Sequence, residues 1–236
     1  MANDWFEYKT HDVRTVTEYV SLILEKLRSL YLFRGHEDIE WELVPAIDRP
    51  GFSEVSSRIS RHQHERLVFD EFKRLALPHL RTRSANDWEF LALARHHGVP
   101  TRLLDWTENP LAALFFAVEN IASTDSSVWC YTYVEMESPL DVDANPDPLT
   151  FDRLVLYRPP HFHLRIATQS GMFTVYPTGF RNLDDPWNLP LTRIRIPNEC
   201  RPRMRVELQR LGVHRASLFP DLDGVGKHVL QLYRND

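Results

Sequence analysis

Apolar and polar residues follow two different periods along the chain. In the first half, apolar side chains recur at helical spacing and predict helices at about 13–27, 53–77, 87–97 and 111–120. The residues of the second helix that are predicted to face inward are Leu67, Phe69, Phe72 and Leu75. In the second half, β-branched and aromatic residues predict strands at 128–134, 154–157, 171–176 and 191–196, followed by a helix at 199–211. A short buried strand is also predicted at 31–33.

These elements predict an α+β fold, in which a helix-rich N-terminal half packs on a mostly antiparallel or mixed sheet from the C-terminal half. The 236 residues suit one large domain. We therefore predict a single domain over 1–236, with an N-terminal helix region at 1–29 and a core at 30–236. Prolines and aspartates at 138–150 predict an exposed loop.

Composition narrows the class of protein. The formal net charge of -5 gives no strong nucleic-acid signal. Two cysteines far apart in the sequence, Cys130 and Cys200, suit a reducing compartment better than a disulfide framework. The most apolar run, 111–118, is far shorter than a membrane span, and the charged N-terminus lacks the apolar stretch of a secretory signal. We therefore expect a soluble, cytoplasmic protein without membrane partners.

The segment HHGVPTRLLDWTENP at 96–110 carries an unusually dense set of chemical groups between two predicted helices. Its candidate binding side chains are His96, Thr101, Arg102, Asp105, Trp106, Thr107 and Asn109. Part of this set has a purely structural explanation, because Thr107 or Asn109 can cap a helix that begins near Pro110. Caps explain only one or two of these polar residues. Structural capping and ligand binding therefore both remain open as explanations.

Phe33-Arg34-Gly35 ends the predicted strand at 31–33. The glycine allows another backbone or a ligand to approach closely. A guanidinium beside it is suited to hold a phosphate or carboxylate through two parallel hydrogen bonds. The alternative is a buried ion pair between Arg34 and Asp105.

Histidines occur in close pairs at 62 and 64, 96 and 97, and 161 and 163. Adjacent histidines on a helix point in different directions, so His96 and His97 are poorly placed to share one ion. The chain also lacks a helical His-x-x-x-His pair with an accompanying glutamate. We therefore predict no metal site.

The order of these motifs resembles the FRG domain, a family named for its Phe/Tyr-Arg-Gly signature. The matching segments are LFRG at 32–35, LVPAIDR at 43–49, HHGVPTRLLDWTENP at 96–110, LAALFFA at 111–117, QSGMF at 169–173 and LFPDLDG at 218–224. The resemblance thus runs from about residue 30 to the C-terminus. One position departs from the family pattern, since Arg95 stands where the family commonly has glutamine.

The layout also has a weaker resemblance to the ADP-ribosyltransferases, which implies NAD as the candidate substrate. In that interpretation Arg34 holds the pyrophosphate, Trp106 offers a stacking face, and Asp105 with Thr107 orders the ribose or the arginine. The implied catalytic residues are Arg34, Asp105, Thr107 and Gln169. The implied cofactor-binding residues are Phe33, Arg34, Gly35, His96, Thr101, Arg102, Trp106 and Asn109.

The acid that such a reaction needs is the weak point of this resemblance. Glu199 and Glu207 fall in a predicted helix rather than on a strand, and Gln169, Asp221 and Asp223 are the alternatives. The sequence therefore supports two functional hypotheses. One is an NAD-dependent ADP-ribosyltransferase or NAD glycohydrolase. The other is a noncatalytic sensor module that binds a nucleotide or a partner with the same residues, its macromolecular target unspecified.

Overall fold

A computed structural model describes most of the chain. The described residues are 9–26, 31–52, 59–80, 86–120, 122–132, 140–151, 153–160, 168, 170–177 and 191–233. The strands are β1 (Lys9–Asp12), β2 (Tyr31–His36), β3 (Leu103–Thr107), β4 (Ser126–Thr132), β5 (Val155–Tyr157), β6 (Gly171–Val175) and β7 (Leu191–Ile196). The helices are α1 (Val16–Lys26), α2 (Arg61–Ala76), α3 (Asp87–His96), α4 (Pro110–Val118), α5 (Arg201–Arg210), α6 (Arg215–Leu218) and α7 (Leu222–Tyr233).

The seven strands form one mixed sheet in the order β1-β7-β4-β2-β3-β6-β5. β1 pairs with β7 in parallel, and the other neighbours are antiparallel. The prediction of an α+β fold with a mixed sheet is therefore confirmed. The strands come from both halves of the chain, because β1, β2 and β3 precede the predicted strand-rich half.

Successive side chains of each strand point to opposite faces of the sheet, so the core is divided into a layer on each face. On one face, α1, α4 and α5 cover the middle strands, with Phe33, Val128 and Ile194 buried beneath them. On the same face, α2 and α3 cover Leu103 and the β5–β6 end of the sheet. The opposite face carries a second set of buried residues, which includes Leu32, Leu104, Trp106, Trp129 and Tyr131.

The buried side of α2 differs from the prediction. Leu67 and Leu75, which were predicted to face inward, are exposed, at 59% and 53%. Phe69 is buried as predicted, and the other buried residue of α2 is Glu65. The prediction failed because a glutamate is assigned to the polar side of a helix, whereas Glu65 faces inward to pair with a buried arginine.

Residues 140–150, within the loop predicted at 138–150, lie outside helices and strands but are tied to the core. Asp141 and Asp143 are exposed, whereas Leu149 is fully buried. The carbonyl oxygen of Asn145 accepts a hydrogen bond of 2.6 Å from the indole nitrogen of Trp88. This loop therefore combines exposed aspartates with two anchoring points.

The helix predicted at 199–211 is α5, and after it the C-terminal end of the chain adds α6 and α7, which the sequence did not predict. α5 begins at Arg201, with Pro202 in its first turn, where proline is tolerated. α6 and α7 follow, and the buried residue of α7 is Gly224. Among the described residues, no helix has the length and apolar character needed to cross a membrane.

Candidate functional site

A cavity opens where β2 and β3 part. Six residue pairs join β2 to β4, whereas the single pair Phe33–Thr107 joins β2 to β3. The resulting gap is a cavity of about 450 Å³, within the usual range for small-molecule sites. The described residues that line it are Phe33, Arg34, Gly35, Glu37, Trp41, Arg95, His96, Asp105, Trp106, Thr107, Phe116 and Phe219.

Arg34 connects the two strands at this gap. Its Nη1 donates to the backbone oxygen of Asp105 at 2.7 Å and to Oδ2 of the same residue at 3.4 Å. Its Nε donates to Nε2 of His36 at 3.0 Å. Burial lowers the pKa of Arg34 to about 10, against the opposing effect of Asp105, so the guanidinium stays charged at neutral pH.

Arg95, at the end of α3, shares the Asp105 carboxylate with Arg34. Its Nε donates to Oδ2 of Asp105 at 2.8 Å, and its Nη2 donates to the same oxygen. Burial raises the pKa of Asp105, but Arg95 and Arg34 outweigh it and hold this pKa below the ordinary value. One carboxylate therefore serves two guanidinium groups.

His36 supports Arg34 from within β2. Its Nδ1 lies 3.1 Å from the backbone oxygen of Trp41, while its Nε2 accepts from Arg34. This pattern assigns the proton of a neutral imidazole to Nδ1. Burial, reinforced by Arg34, lowers the pKa of His36 to about 3. The ring therefore adds no charge to the site at neutral pH.

The buried neutral His36 makes stability depend on pH. Because its folded pKa lies below the unfolded value, the unfolded chain binds more protons between these pKa values, and stability falls as the solution is acidified through that window. We expect the free energy of unfolding, measured with urea, to fall between pH 7 and pH 5 by on the order of 2 kcal/mol more in wild type than in His36→Gln. If the difference in free energy of unfolding between the two proteins does not change with pH, His36 is not a buried neutral imidazole.

Gly35 and Phe33 point to the other face of β2, against α4. A Cβ atom added at Gly35 would lie 2.1 Å from the backbone oxygen of Ala113 and 2.7 Å from the backbone nitrogen of Ala117. The glycine of the Phe-Arg-Gly motif thus lets α4 lie directly on the strand that carries Arg34.

Aromatic side chains form the walls of the cavity away from the guanidinium groups. Phe116 of α4 meets Phe219 edge to face, with ring centroids 5.9 Å apart. Trp41 contributes a third ring and is half exposed. Glu37 adds a carboxylate beyond the end of β2, where it accepts a hydrogen bond from Asn120. The cavity therefore joins a positively charged end, aromatic walls and one separate carboxylate.

Several residues predicted for the site meet at this cavity. Arg34, Asp105 and Thr107 all line it, together with Phe33, Gly35 and His96. The Thr107 hydroxyl accepts a hydrogen bond of 3.0 Å from the backbone nitrogen of Asn109. Trp106 also borders the cavity, but its indole packs against Tyr131 and donates to the Thr174 hydroxyl at 2.9 Å. That side chain belongs to the core of the opposite face of the sheet.

Three other residues predicted for the site have structural partners and do not appear among the described lining residues. Arg102 is fully buried, where its Nε and Nη2 donate to the Glu65 carboxylate at 2.9 and 2.6 Å. The backbone oxygen of Thr101 accepts from Ile47. Asn109 caps α4 by accepting from two backbone nitrogens of its first turn. For these residues the contacts support the structural alternative.

The acids considered for catalysis lie elsewhere, among the residues that the structure describes. Glu199 pairs with Arg14 at the surface, and Glu207 accepts from the backbone nitrogen of Val16. Asp221 accepts from the backbone nitrogen of Gly224. Asp223 is exposed on α7. Gln169 lies outside the described residues.

Sequence reasoning missed Arg95, Glu37, Trp41, Phe116 and Phe219. Arg95 stood out only as a departure from the family pattern, which gave no reason to place it in the site. The aromatic residues carried none, because apolar side chains in a helix or loop are expected in the core. Within the described part of the chain, no group of three or more His, Cys, Asp or Glu residues could hold a metal ion.

The fold and this cavity define an α+β protein with a guanidinium-lined site at the junction of two strands. Comparison with known families finds one match: the model of the FRG domain matches residues 29–126. The matched range includes β2, α3, β3 and α4, which supply most of the cavity. No curated protein and no solved structure matches the chain.

Proposed function

We propose that the cavity between β2 and β3 binds the phosphate of a small nucleotide through Arg34 and Arg95. The observation that carries the proposal is that each of the two arginines bonds to the protein through only two of its three guanidinium nitrogens. Arg34 binds its protein partners through Nε and Nη1, and Arg95 does so through Nε and Nη2. Within the described chain, Nη2 of Arg34 and Nη1 of Arg95 form no hydrogen bond, which leaves donors for an oxyanion.

The surroundings of these donors fit a nucleotide better than a simple ion. Both arginine side chains are largely buried, with 13% and 18% of the side chain exposed, so a bound anion is partly shielded from water. Charge-assisted hydrogen bonds gain strength in such an environment. The rings of Trp41, Phe116 and Phe219 offer apolar walls for a base or a pyridine ring.

A catalytic form of this proposal uses NAD as the substrate, as the ADP-ribosyltransferase resemblance implies. The observation that favours it is Glu37, a carboxylate in the same cavity as the two arginines. When the glycosidic bond breaks, nicotinamide leaves with the electron pair, and a nearby carboxylate stabilises the positive charge on the ribose. Water or an acceptor on a target then forms the new bond at that carbon. The noncatalytic alternative keeps the binding and omits this step.

Binding is tested by calorimetric titration and thermal shift with NAD, ADP-ribose and AMP. Loss of one charge-assisted pair costs about 1.5–3 kcal/mol, so Arg34→Met and Arg95→Met are each expected to weaken binding by roughly 10- to 100-fold. Arg74→Met, which removes an exposed arginine of α2, is the matched control and leaves affinity unchanged.

Release of nicotinamide from NAD separates the two forms of the proposal. Turnover that Glu37→Gln abolishes while binding persists supports the enzyme. Saturable binding without turnover supports the sensor. If none of the nucleotides binds, or if Arg34→Met binds as tightly as wild type, the proposal is wrong.

A further inference from the structure

The guanidinium end of the cavity carries more positive charge than negative charge. Besides Arg34 and Arg95, a third guanidinium lies within electrostatic range, that of Arg49. Its Nε donates to the backbone oxygen of Val44 at 3.2 Å, and its side chain is outside the cavity lining. Partial burial and the neighbouring Arg95 lower the pKa of Arg49. Three positive charges thus act on one carboxylate, that of Asp105.

No other described group at this end of the cavity supplies compensating charge. His36, in contact with Arg34, is neutral. The second carboxylate of the cavity, that of Glu37, lies beyond the end of β2. It is hydrogen bonded to Asn120 instead of to a guanidinium. The guanidinium end therefore carries an excess of two positive charges over the single acid.

We infer that the cavity selects a doubly charged oxyanion, which is a terminal phosphomonoester or the two linked phosphates of a pyrophosphate, over a singly charged phosphodiester or carboxylate. The inference deepens the proposed function and rests on it. An excess of two charges is neutralised by a dianion, whereas a monoanion leaves one guanidinium charge uncompensated in a partly buried site. A phosphomonoester carries close to two negative charges at neutral pH, and a diester carries one.

Arg49 has a distinct part in this selection. Because its side chain does not line the cavity, it acts on the ligand through its field and not through a hydrogen bond. The energy of that field scales with the charge on the ligand. Removing Arg49 therefore weakens the binding of a dianion more than the binding of a monoanion. Removing Arg34 weakens the binding of both, because hydrogen bonds to the ligand are lost. Arg49 determines specificity without holding the ligand.

The test compares two ligands that differ in one charge, AMP and its 5′-phosphate methyl ester, by calorimetric titration at pH 8. Both have the same base and a tetrahedral phosphate. We expect AMP to bind about tenfold more tightly, a difference of about 1.4 kcal/mol. Arg49→Met is expected to reduce that ratio, with Arg74→Met as the control that preserves it.

The possible outcomes separate this inference from the proposal on which it depends. Equal affinities for the two ligands, with binding still lost in Arg34→Met, would overturn the inference and leave nucleotide binding intact. A ratio that Arg49→Met does not change would overturn the part assigned to Arg49. If neither ligand binds, or if binding does not depend on Arg34, the proposed function fails and this inference fails with it.

Discussion

Glu65→Ala is expected to lower the free energy of unfolding by about 3–5 kcal/mol. Glu65 and Arg102 form an ion pair in which the side chains are 2% and 0% exposed. Arg102 also donates to the backbone oxygen of Phe151 at 3.1 Å. Removal of the carboxylate leaves a guanidinium in the core without its counter-ion. Chemical unfolding of the purified variant measures the loss.

The control for this prediction is Glu71→Ala, in the same helix. Glu71 pairs with Arg74 at the surface, where exposed ion pairs contribute little, so stability should remain close to that of wild type. The double variant Glu65→Leu with Arg102→Met should recover much of the loss, because apolar pairs of similar volume often replace buried ion pairs without cost. A loss in Glu65→Ala no larger than that in Glu71→Ala would contradict the structural role given to Arg102.

Gly35→Ala is the second large effect, with an expected loss of about 3 kcal/mol or more. The added methyl group would meet the α4 backbone at 2.1 Å, a contact that side-chain rotation cannot relieve. β2 and α4 must therefore move apart. Since β2 carries Arg34 and α4 carries Phe116, the variant should also bind nucleotide more weakly than wild type. Thermal unfolding and the nucleotide titration measure the two consequences.

Gly226→Ala provides the contrast for Gly35→Ala. Gly226 lies in α7, and an added Cβ there meets no described atom within 4 Å. Alanine is favoured over glycine in a helix, so this variant should be as stable as wild type or more stable by up to about 1 kcal/mol. If the two glycine variants had similar stabilities, close packing of β2 on α4 would not be the reason for the glycine.

Much of the fold could be predicted from periodicity, and the exceptions have physical reasons. β4 is a mostly buried run with apolar and aromatic residues, and β7 alternates isoleucine with arginine, so these patterns identified both strands. β3, with sequence LLDWT, was missed because Asp105 breaks its apolar pattern and two helices flank it closely. β1 was missed because its four residues are all polar or charged, and its place at the sheet edge comes from pairing with distant β7.

The motif at 96–110 was recognised as important, but its residues could not be sorted by function from sequence. Asp105 and Thr107 alternate along β3 with Trp106, whose indole turns to the opposite layer. Arg102 comes just before the strand and reaches into the core to meet Glu65. The spacing of polar residues was visible in the sequence. Which of them face the cavity depends on the β2–β3 pairing.

Arg95 shows a different limit of sequence reasoning. Its departure from the family pattern made position 95 doubtful as a site residue, yet its side chain lies on Asp105 beside Arg34. The nine residues between Arg95 and Asp105 include the end of α3 and a turn, with Gly98 at a φ of 82°. That turn reverses the chain and returns β3 alongside the helix end. Only the folded chain brings the two side chains together.

A crystal structure of the protein grown with AMP tests most directly whether Arg34 and Arg95 together hold an oxyanion. We predict phosphate oxygens about 2.7–2.9 Å from Nη2 of Arg34 and Nη1 of Arg95, with Asp105 still bound to both side chains. A phosphate bound elsewhere, or a cavity without AMP at saturating concentration, would contradict the proposed role of the two arginines.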